Sequence, residues 1–235
     1  MELNEYKVMY DLERQHAWFR AKRELMIDVF HRFGHDGVNI LDIGCGTGVI
    51  ADYFSRRNNV VGLDVSAEAL KFARLRNPSL RWVKGDAQQV RFAANSFDWV
   101  FASDVIEHVA DDVKALRSMH KVLKKNGKVL ITVPALMWLW GKDDDLLHHY
   151  RRYTRKQLRA VLERAGFRVV FLNYWNLLML PAAMVYKRVN KDQSVVALHP
   201  WVNRLMHTVL RADTKLVQVL PLPLGVSLVA VAMKM

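Results

Sequence analysis

Val38-Asn39-Ile40-Leu41-Asp42-Ile43-Gly44-Cys45-Gly46-Thr47-Gly48 is the stretch that decides the fold. Its first half is a short apolar run bounded by Gly37 and Gly44, which reads as a buried strand. Three glycines at alternate positions then turn the chain, and residues 47–57 read as a helix. A strand, a glycine turn and a helix in this order make a nucleotide-binding turn. Glycine lets a ligand approach main-chain N–H groups, and a helix start favours negative groups. The dinucleotide fingerprint requires a small residue five places after its first glycine. Val49 stands there, and the third glycine comes one place early at Gly48, which disfavours a pyrophosphate ligand and a nicotinamide oxidoreductase.

Outward from this turn, strands alternate with helices. Strands are expected over 60–64, 80–83, 97–102, 128–133 and 167–172. Helices are expected over 66–76, where Ser66 is a good N-cap, over 111–124, closed by Asn126-Gly127, and over 154–165, ended by Gly166. Upstream, Phe19, Met26, Phe30 and Phe33 recur among charged residues, so 5–33 reads as one helix ended by Gly34 and Gly37. After Asn173 the alternation stops. Two apolar helical segments, 174–190 and 200–219, precede a last strand at 225–233. The alternation predicts a mostly parallel sheet covered on both faces. The expected organisation is a single domain over 1–235, with an N-terminal helical cap (1–37), a ligand-binding core (38–173), a helical insertion (174–222) and a final strand (223–235).

Composition narrows the setting. The chain has 235 residues, 51% of them hydrophobic, enough for a real core. Its single cysteine, Cys45, forms no intrachain disulfide and favours a reducing, cytoplasmic compartment. The first five residues lack the basic start and apolar run of a signal peptide, and no apolar stretch reaches the roughly 18 residues of a membrane span. The net charge of +12 sits in one segment: residues 1–150 carry 21 Lys+Arg against 20 Asp+Glu, whereas 151–215 carry 13 against 3. Such a segment suits an anionic partner, whether phosphate, anionic lipid or nucleic acid, or else forms a solvated surface.

The segment 38–50, with Asp64 ending the second strand and Asp86 following the third, resembles the first motifs of the class I S-adenosylmethionine-dependent methyltransferases. The resemblance covers 38–173. It implies a Rossmann-like, doubly wound α/β sheet of seven strands in the order 3-2-1-4-5-7-6, strand 7 antiparallel. It also implies S-adenosylmethionine as cofactor. Gly44, Cys45, Gly46 and Gly48, with Asp42, would wrap its methionine end. Asp64 would accept the ribose hydroxyls beside Val65, Asp86 would accept from the adenine amino group, Ala87 would offer a backbone N–H to the ring, and Ser103 would line the pocket.

Ser103-Asp104-Val105-Ile106-Glu107-His108 follows the fourth strand. If the segment is helical, Asp104, Glu107 and His108 share one face. Three readings stay open: a capping box of Asp104 and Glu107; His108 as general base toward an acceptor hydroxyl, with Asp104 and His149 beside it; or a divalent metal held by Asp104, Glu107 and His108. The segment resembles the Glu-x-x-Glu-His stretch of ubiquinone-biosynthesis O-methyltransferases and of small-RNA 2′-O-methyltransferases, but begins with Asp. Similar enzymes carry His-Asp ahead of a His-x-Arg-Arg-Tyr segment. Here Asp143-Asp144 stands in that place, and His149 precedes Tyr150-Arg151-Arg152-Tyr153.

That last segment reads as an acceptor lid, with Arg151 and Arg152 clamping a phosphate or carboxylate and Tyr150 or Tyr153 placing a hydroxyl. It resembles methyltransferases of lipid-linked and secondary metabolites. His16-Ala17-Trp18-Phe19-Arg20 also resembles that group, which makes Trp18 a candidate substrate contact. The late helices, with Trp175, Met184, Lys187-Arg188, Trp201 and Arg204, fit a cap over a lipophilic acceptor, a peripheral membrane surface at the inner face, or a homodimer contact. The expected activity is methyl transfer to an oxygen of a small lipophilic or anionic acceptor. The alternatives are an RNA or other nucleic-acid methyltransferase, which the basic segment suits, and a non-catalytic cofactor-binding protein. The Asn/Asp-Pro-Pro-Tyr/Phe tetrapeptide of base-amino methylases is absent from the sequence.

Overall fold

The computed structural model describes residues 3–189 and 198–235. In chain order the elements are α1 (Leu3–Leu12), α2 (Ala17–Phe33), β1 (Asn39–Ile43), α3 (Val49–Phe54), β2 (Asn59–Asp64), α4 (Ala67–Arg76), β3 (Arg81–Lys84) and β4 (Phe97–Ser103). They continue with α5 (Asp112–Val122), β5 (Leu123–Pro134), α6 (Lys142–Leu146), α7 (Arg155–Arg164), β6 (Phe167–Trp175), α8 (Leu180–Val189), α9 (Pro200–Val219) and β7 (Ser227–Lys234).

The seven strands form one sheet in the order β3-β2-β1-β4-β5-β7-β6. The pairs from β3 to β5 are parallel, and β7 runs antiparallel to both β5 and β6. The carboxyl ends of β1 to β6 therefore share one edge. The strands are apolar on both faces because both are covered. Ala230, Val231 and Ala232 are fully buried in succession, as are Val100, Phe101 and Ala102. On one face α2 presents Ala17, Ala21, Leu25 and Val29 at helical spacing. Its Phe30 ring meets Phe54, Trp99 and Phe101 at 5.2, 5.2 and 5.9 Å.

The expected strand order and antiparallel last strand are found. The single N-terminal helix is not: the chain breaks between Leu12 and Ala17, and His16 caps α2 through a bond from Trp18 N. The reason is Glu13, which turns inward to a buried partner instead of continuing an amphipathic face. Downstream, β6 runs three residues past its expected end and brings Trp175 to the carboxyl edge. The acidic run 143–145 forms the short helix α6, which periodicity did not signal. Between β6 and β7 lie α8 and α9. The basic pair Lys187-Arg188 lies outside the described side chains. Among the described residues, no helix is long and apolar enough to cross a membrane.

Candidate active site

The first half of the site lies where β1, β2 and β4 end. Gly44 has φ +65°, and a Cβ there would come within 2.5 Å of Val105 Cγ2, so the turn is pressed onto the segment after β4. Gly46 has φ +54° and sits beneath Met9 of α1. Four amides of this turn are engaged within the protein. Gly44 N and Cys45 N donate to Leu63 O at 2.7 and 3.1 Å, Gly48 N donates to Cys45 O, and Gly46 N donates to Asp64 Oδ2 at 2.8 Å.

The turn also carries buried acids. Asp64 uses its second oxygen to accept from Ser66 N at 2.8 Å, and burial raises its pKa. Asp42 is buried and its Oδ2 has no hydrogen-bond partner among the described residues. Burial, then Asp64, pushes its carboxyl up to about 8, with Glu13 adding to the rise. A buried acid whose pKa is raised by neighbouring acids marks a site that a cationic ligand stabilises. S-adenosylmethionine carries a sulfonium and an ammonium, so the donor set and the orphaned Asp42 oxygen fit it. Asp86 is exposed and accepts from Gln88 N at 2.8 Å, capping the 3₁₀ turn that begins with the buried Ala87. Val65 is exposed at the rim, and Ser103 Oγ meets Thr132 Oγ1 at 2.9 Å.

Behind the turn is a network that residue-by-residue reading missed. Glu13 and Arg76 form a buried ion pair at 2.9 Å. Arg76 Nε donates to Thr47 O at 2.8 Å, and the Thr47 hydroxyl donates to Glu13. This pair ties α1 and α4 to the glycine turn. Its sequence signal was faint: an acid and an arginine 63 residues apart.

The second half lies past β4 and β5. Asp104 sits at φ +54°, and only a 3₁₀ turn, Ile106–His108, follows, so the assumed helical face does not form. Asp104 caps nothing. One oxygen is paired with Lys22 Nζ, the other accepts from Thr132 Oγ1 at 3.1 Å. The groups that gather are Glu107, His108 and His149, whose ligand atoms lie within 4.8 Å of one another. Asp104, read as part of a metal trio, is not among them. Glu107 is fully buried, neither carboxylate oxygen has a hydrogen-bond partner among the described residues, and burial, then Asp104, raises its pKa well above the ordinary range.

The two imidazoles are oriented. His108 Nδ1 donates to Leu147 O at 2.9 Å, which leaves the lone pair on Nε2. Desolvation, then His149, lowers its pKa, which favours the neutral ring. His149 lies edge-on to it at 4.5 Å and donates from Nδ1 to Asp144 Oδ1 at 2.8 Å. Asp144 is fully buried and also binds Arg152 Nε at 2.8 Å and Gly141 N at 2.8 Å.

The lid expected over 150–153 is rearranged. Arg152 is buried and committed to Asp144 and Ala135 O. Tyr153 is buried, and its hydroxyl donates to Asp112 Oδ2 at 2.9 Å. Arg151 pairs with the same carboxylate at 3.0 Å and donates to Ala110 O. These three are ties within the protein rather than an anion clamp. Tyr150 is exposed. Trp18 stands at the crevice, its ring 5.4 Å from Trp175 and 5.0 Å from Lys22 Nζ.

The strand order and the acid-flanked glycine turn define a class: Rossmann-like α/β proteins that take their ligand at the carboxyl edge of the sheet. A methyltransferase-domain family model matches residues 41–131. The ubiquinone/menaquinone biosynthesis C-methyltransferase UbiE of Haemophilus ducreyi is 36% identical over 207 residues, covering 67% of this chain and 79% of that protein. The chain therefore belongs to the class I S-adenosylmethionine-dependent methyltransferases. It spans far less of some curated relatives. The biotin biosynthesis bifunctional protein BioHC of Cellvibrio japonicus is 34% identical over 56% of this chain but only 28% of its own length. A solved TehB-like methyltransferase of Corynebacterium glutamicum shares the fold, with a TM-score of 0.59 and 21% identity over 92% of this chain and 88% of that one.

Proposed function

We propose that this chain transfers a methyl group from S-adenosylmethionine to an oxygen of a small, lipophilic acceptor, with His108 as the general base. When bound, the cofactor supplies an electrophilic methyl on sulfur. The protein's tasks are to align the acceptor and take up its proton. One observation carries the reading: on the turn after β4, His108 Nδ1 donates to Leu147 O, which leaves Nε2 as the acceptor nitrogen of the neutral ring, and His149 lies beside it. Nε2 takes the acceptor's hydroxyl proton as the oxygen–methyl bond forms and the sulfur–methyl bond breaks. Asp144 orients His149 and stabilises the imidazole pair as it gains charge. Met137, Trp138, Leu146, Leu147 and Tyr150 are exposed around this loop and form an apolar lip that suits a lipophilic acceptor.

The test is methyl transfer to a panel of hydroxylated aromatic acceptors, with the product resolved by NMR. His108→Gln should lower kcat about 10²- to 10⁴-fold while leaving cofactor affinity unchanged. A variant with normal kcat overturns the assignment. Removing a hydroxyl proton also activates the neighbouring ring carbon, so a carbon-bound methyl in the product would shift the acceptor atom and keep the base. The named activity of the Haemophilus ducreyi relative favours keeping that second outcome in view. A metal-assisted version is supported by the orphaned Glu107 carboxylate facing two imidazole ligands. There Glu107, His108 and His149 would hold a divalent cation that polarises the acceptor oxygen. Turnover that falls in EDTA and returns with Mg²⁺ or Zn²⁺ supports it; EDTA-resistant turnover dismisses it.

A further inference from the structure

Lys22 was not singled out by sequence reasoning, yet α2 carries it into the acceptor crevice. Its side chain is 11% exposed, and its ammonium pairs with Asp104, the first residue past β4. Val105, the next residue, is the one against which Gly44 packs. Lys22 therefore ties α2 to the segment after β4, whose next residue packs on the glycine turn.

An ammonium has three N–H donors. Asp104 Oδ2 accepts one, and the Trp18 face beside it, 5.0 Å away, offers no acceptor of comparable strength. No other hydrogen bond to Lys22 is found among the described residues. A nearly buried charge with donors to spare favours a further oxygen, because leaving those donors unmade costs free energy. Asp104 does not need the ammonium alone, since Thr132 also holds it and Thr132 is in turn held by Ser103. The side chain next to the ammonium is aromatic: the half-buried Trp18 ring is backed at 5.4 Å by the fully buried Trp175, tilted 34° to it, whose Nε1 donates to Thr214. An indole with a cation beside it complements an aromatic molecule ending in an anion.

We propose that Lys22, with Trp18 beside it, is the recognition point for an anionic oxygen on a planar acceptor. It selects molecules bearing a carboxylate or phenolate over neutral ones of the same shape. The proposal rests on reading this crevice as the methyl-transfer site. Lys22 is then a specificity-determining residue, and its pairing with Asp104 is the resting arrangement that the acceptor's oxygen joins.

The experiment is calorimetry on the full chain saturated with S-adenosylhomocysteine, using 3,4-dihydroxybenzoate and 3,4-dihydroxybenzyl alcohol as matched probes. Wild type should bind the carboxylate about tenfold or more tighter than the alcohol. Lys22→Met should abolish that preference and leave alcohol binding within about twofold, whereas Lys22→Arg should retain most of it. Lys22→Met leaves Asp104 without its cation, so Lys22→Met/Asp104→Asn is measured too and should behave like Lys22→Met. A purely structural tie would weaken both probes equally. No preference in wild type, no binding of either probe, or a preference that survives Lys22→Met overturns the proposal. If wild type does not bind S-adenosylhomocysteine in the preliminary titration, the methyl-transfer reading itself falls first.

Discussion

The two halves of the crevice are built by different means. In the cofactor half, Asp64 is held by backbone N–H groups of Gly46 and Ser66, and Asp86 by that of Gln88, all near the strands that carry them. In the acceptor half, most key side chains are held by other side chains: Asp104 by Lys22 and Thr132, His149 and Arg152 by Asp144, Tyr153 and Arg151 by Asp112, while His108 is held by Leu147 O. Backbone-held groups depend on local turn geometry, which tolerates change elsewhere. Side-chain networks fail together when one member goes. The cofactor half can thus stay constant while the acceptor half changes, which is what a family with many acceptors requires.

The largest test of this contrast is Asp144→Ala. It leaves the buried Arg152 guanidinium unpaired and frees His149, so it should cost about 3–5 kcal/mol in chemical denaturation and sharply reduce acceptor turnover. Affinity for S-adenosylhomocysteine should hold. An equal loss of cofactor affinity would mean that the halves are not separable. The converse variant, Asp64→Ala, should weaken cofactor binding about 100-fold by calorimetry, with circular dichroism unchanged. Normal affinity there would place the cofactor elsewhere.

The same contrast decides what was legible. The glycine turn, Asp64 and Asp86 are close in sequence to the strands that position them, so pattern placed them at strand ends, and the resemblance alone supplied their expected roles. Strand alternation likewise predicted a parallel sheet, and resemblance supplied its order. The acceptor half was read with the wrong local geometry. Asp104, Glu107 and His108 were given a helical face, but Asp104 takes a left-handed conformation because its carboxylate reaches Lys22 and Thr132. Lys22 and Glu13 carry no motif, and Asp144 is marked only by standing, with Asp143, where similar enzymes carry His-Asp. Their partners lie 82, 63 and 8 residues away, and nothing in a helical period marks such pairs. Arg152 and Tyr153 read as ligand contacts because their segment follows the fifth strand at the glycine-turn end of the sheet, whereas folding turns them inward.

Asp42 sharpens the comparison through pH. Its carboxyl titrates near 8 in the folded chain, against 3.8 when free, so between those values the folded state holds a proton that the unfolded state has lost. Stability from this group is complete at low pH and declines as pH rises toward 8, with a slope approaching about 1.4 kcal/mol per pH unit. Asp42→Asn should flatten that slope in urea titrations at pH 5 to 8. Ionised Asp42 favours a cation, so S-adenosylmethionine should gain on S-adenosylhomocysteine as pH rises in the same window. A ratio independent of pH would detach Asp42 from the sulfonium end.

The smallest expected effect discriminates most finely between a tie and a ligand contact. Tyr153 is buried, and burial, then Asp112, raises its phenol above the usual range, so it stays protonated and donates to Asp112 at every working pH. Tyr153→Phe removes one hydroxyl from a buried charge-assisted bond and leaves Asp112 with its Arg151 partner. The cost should be about 1–2 kcal/mol of stability, with KM and kcat for any acceptor within about twofold of wild type. An acceptor KM that rises tenfold at unchanged stability would return Tyr153 to the substrate pocket. It would also show that the acceptor half rearranges on binding, since the hydroxyl could reach a substrate only by leaving Asp112.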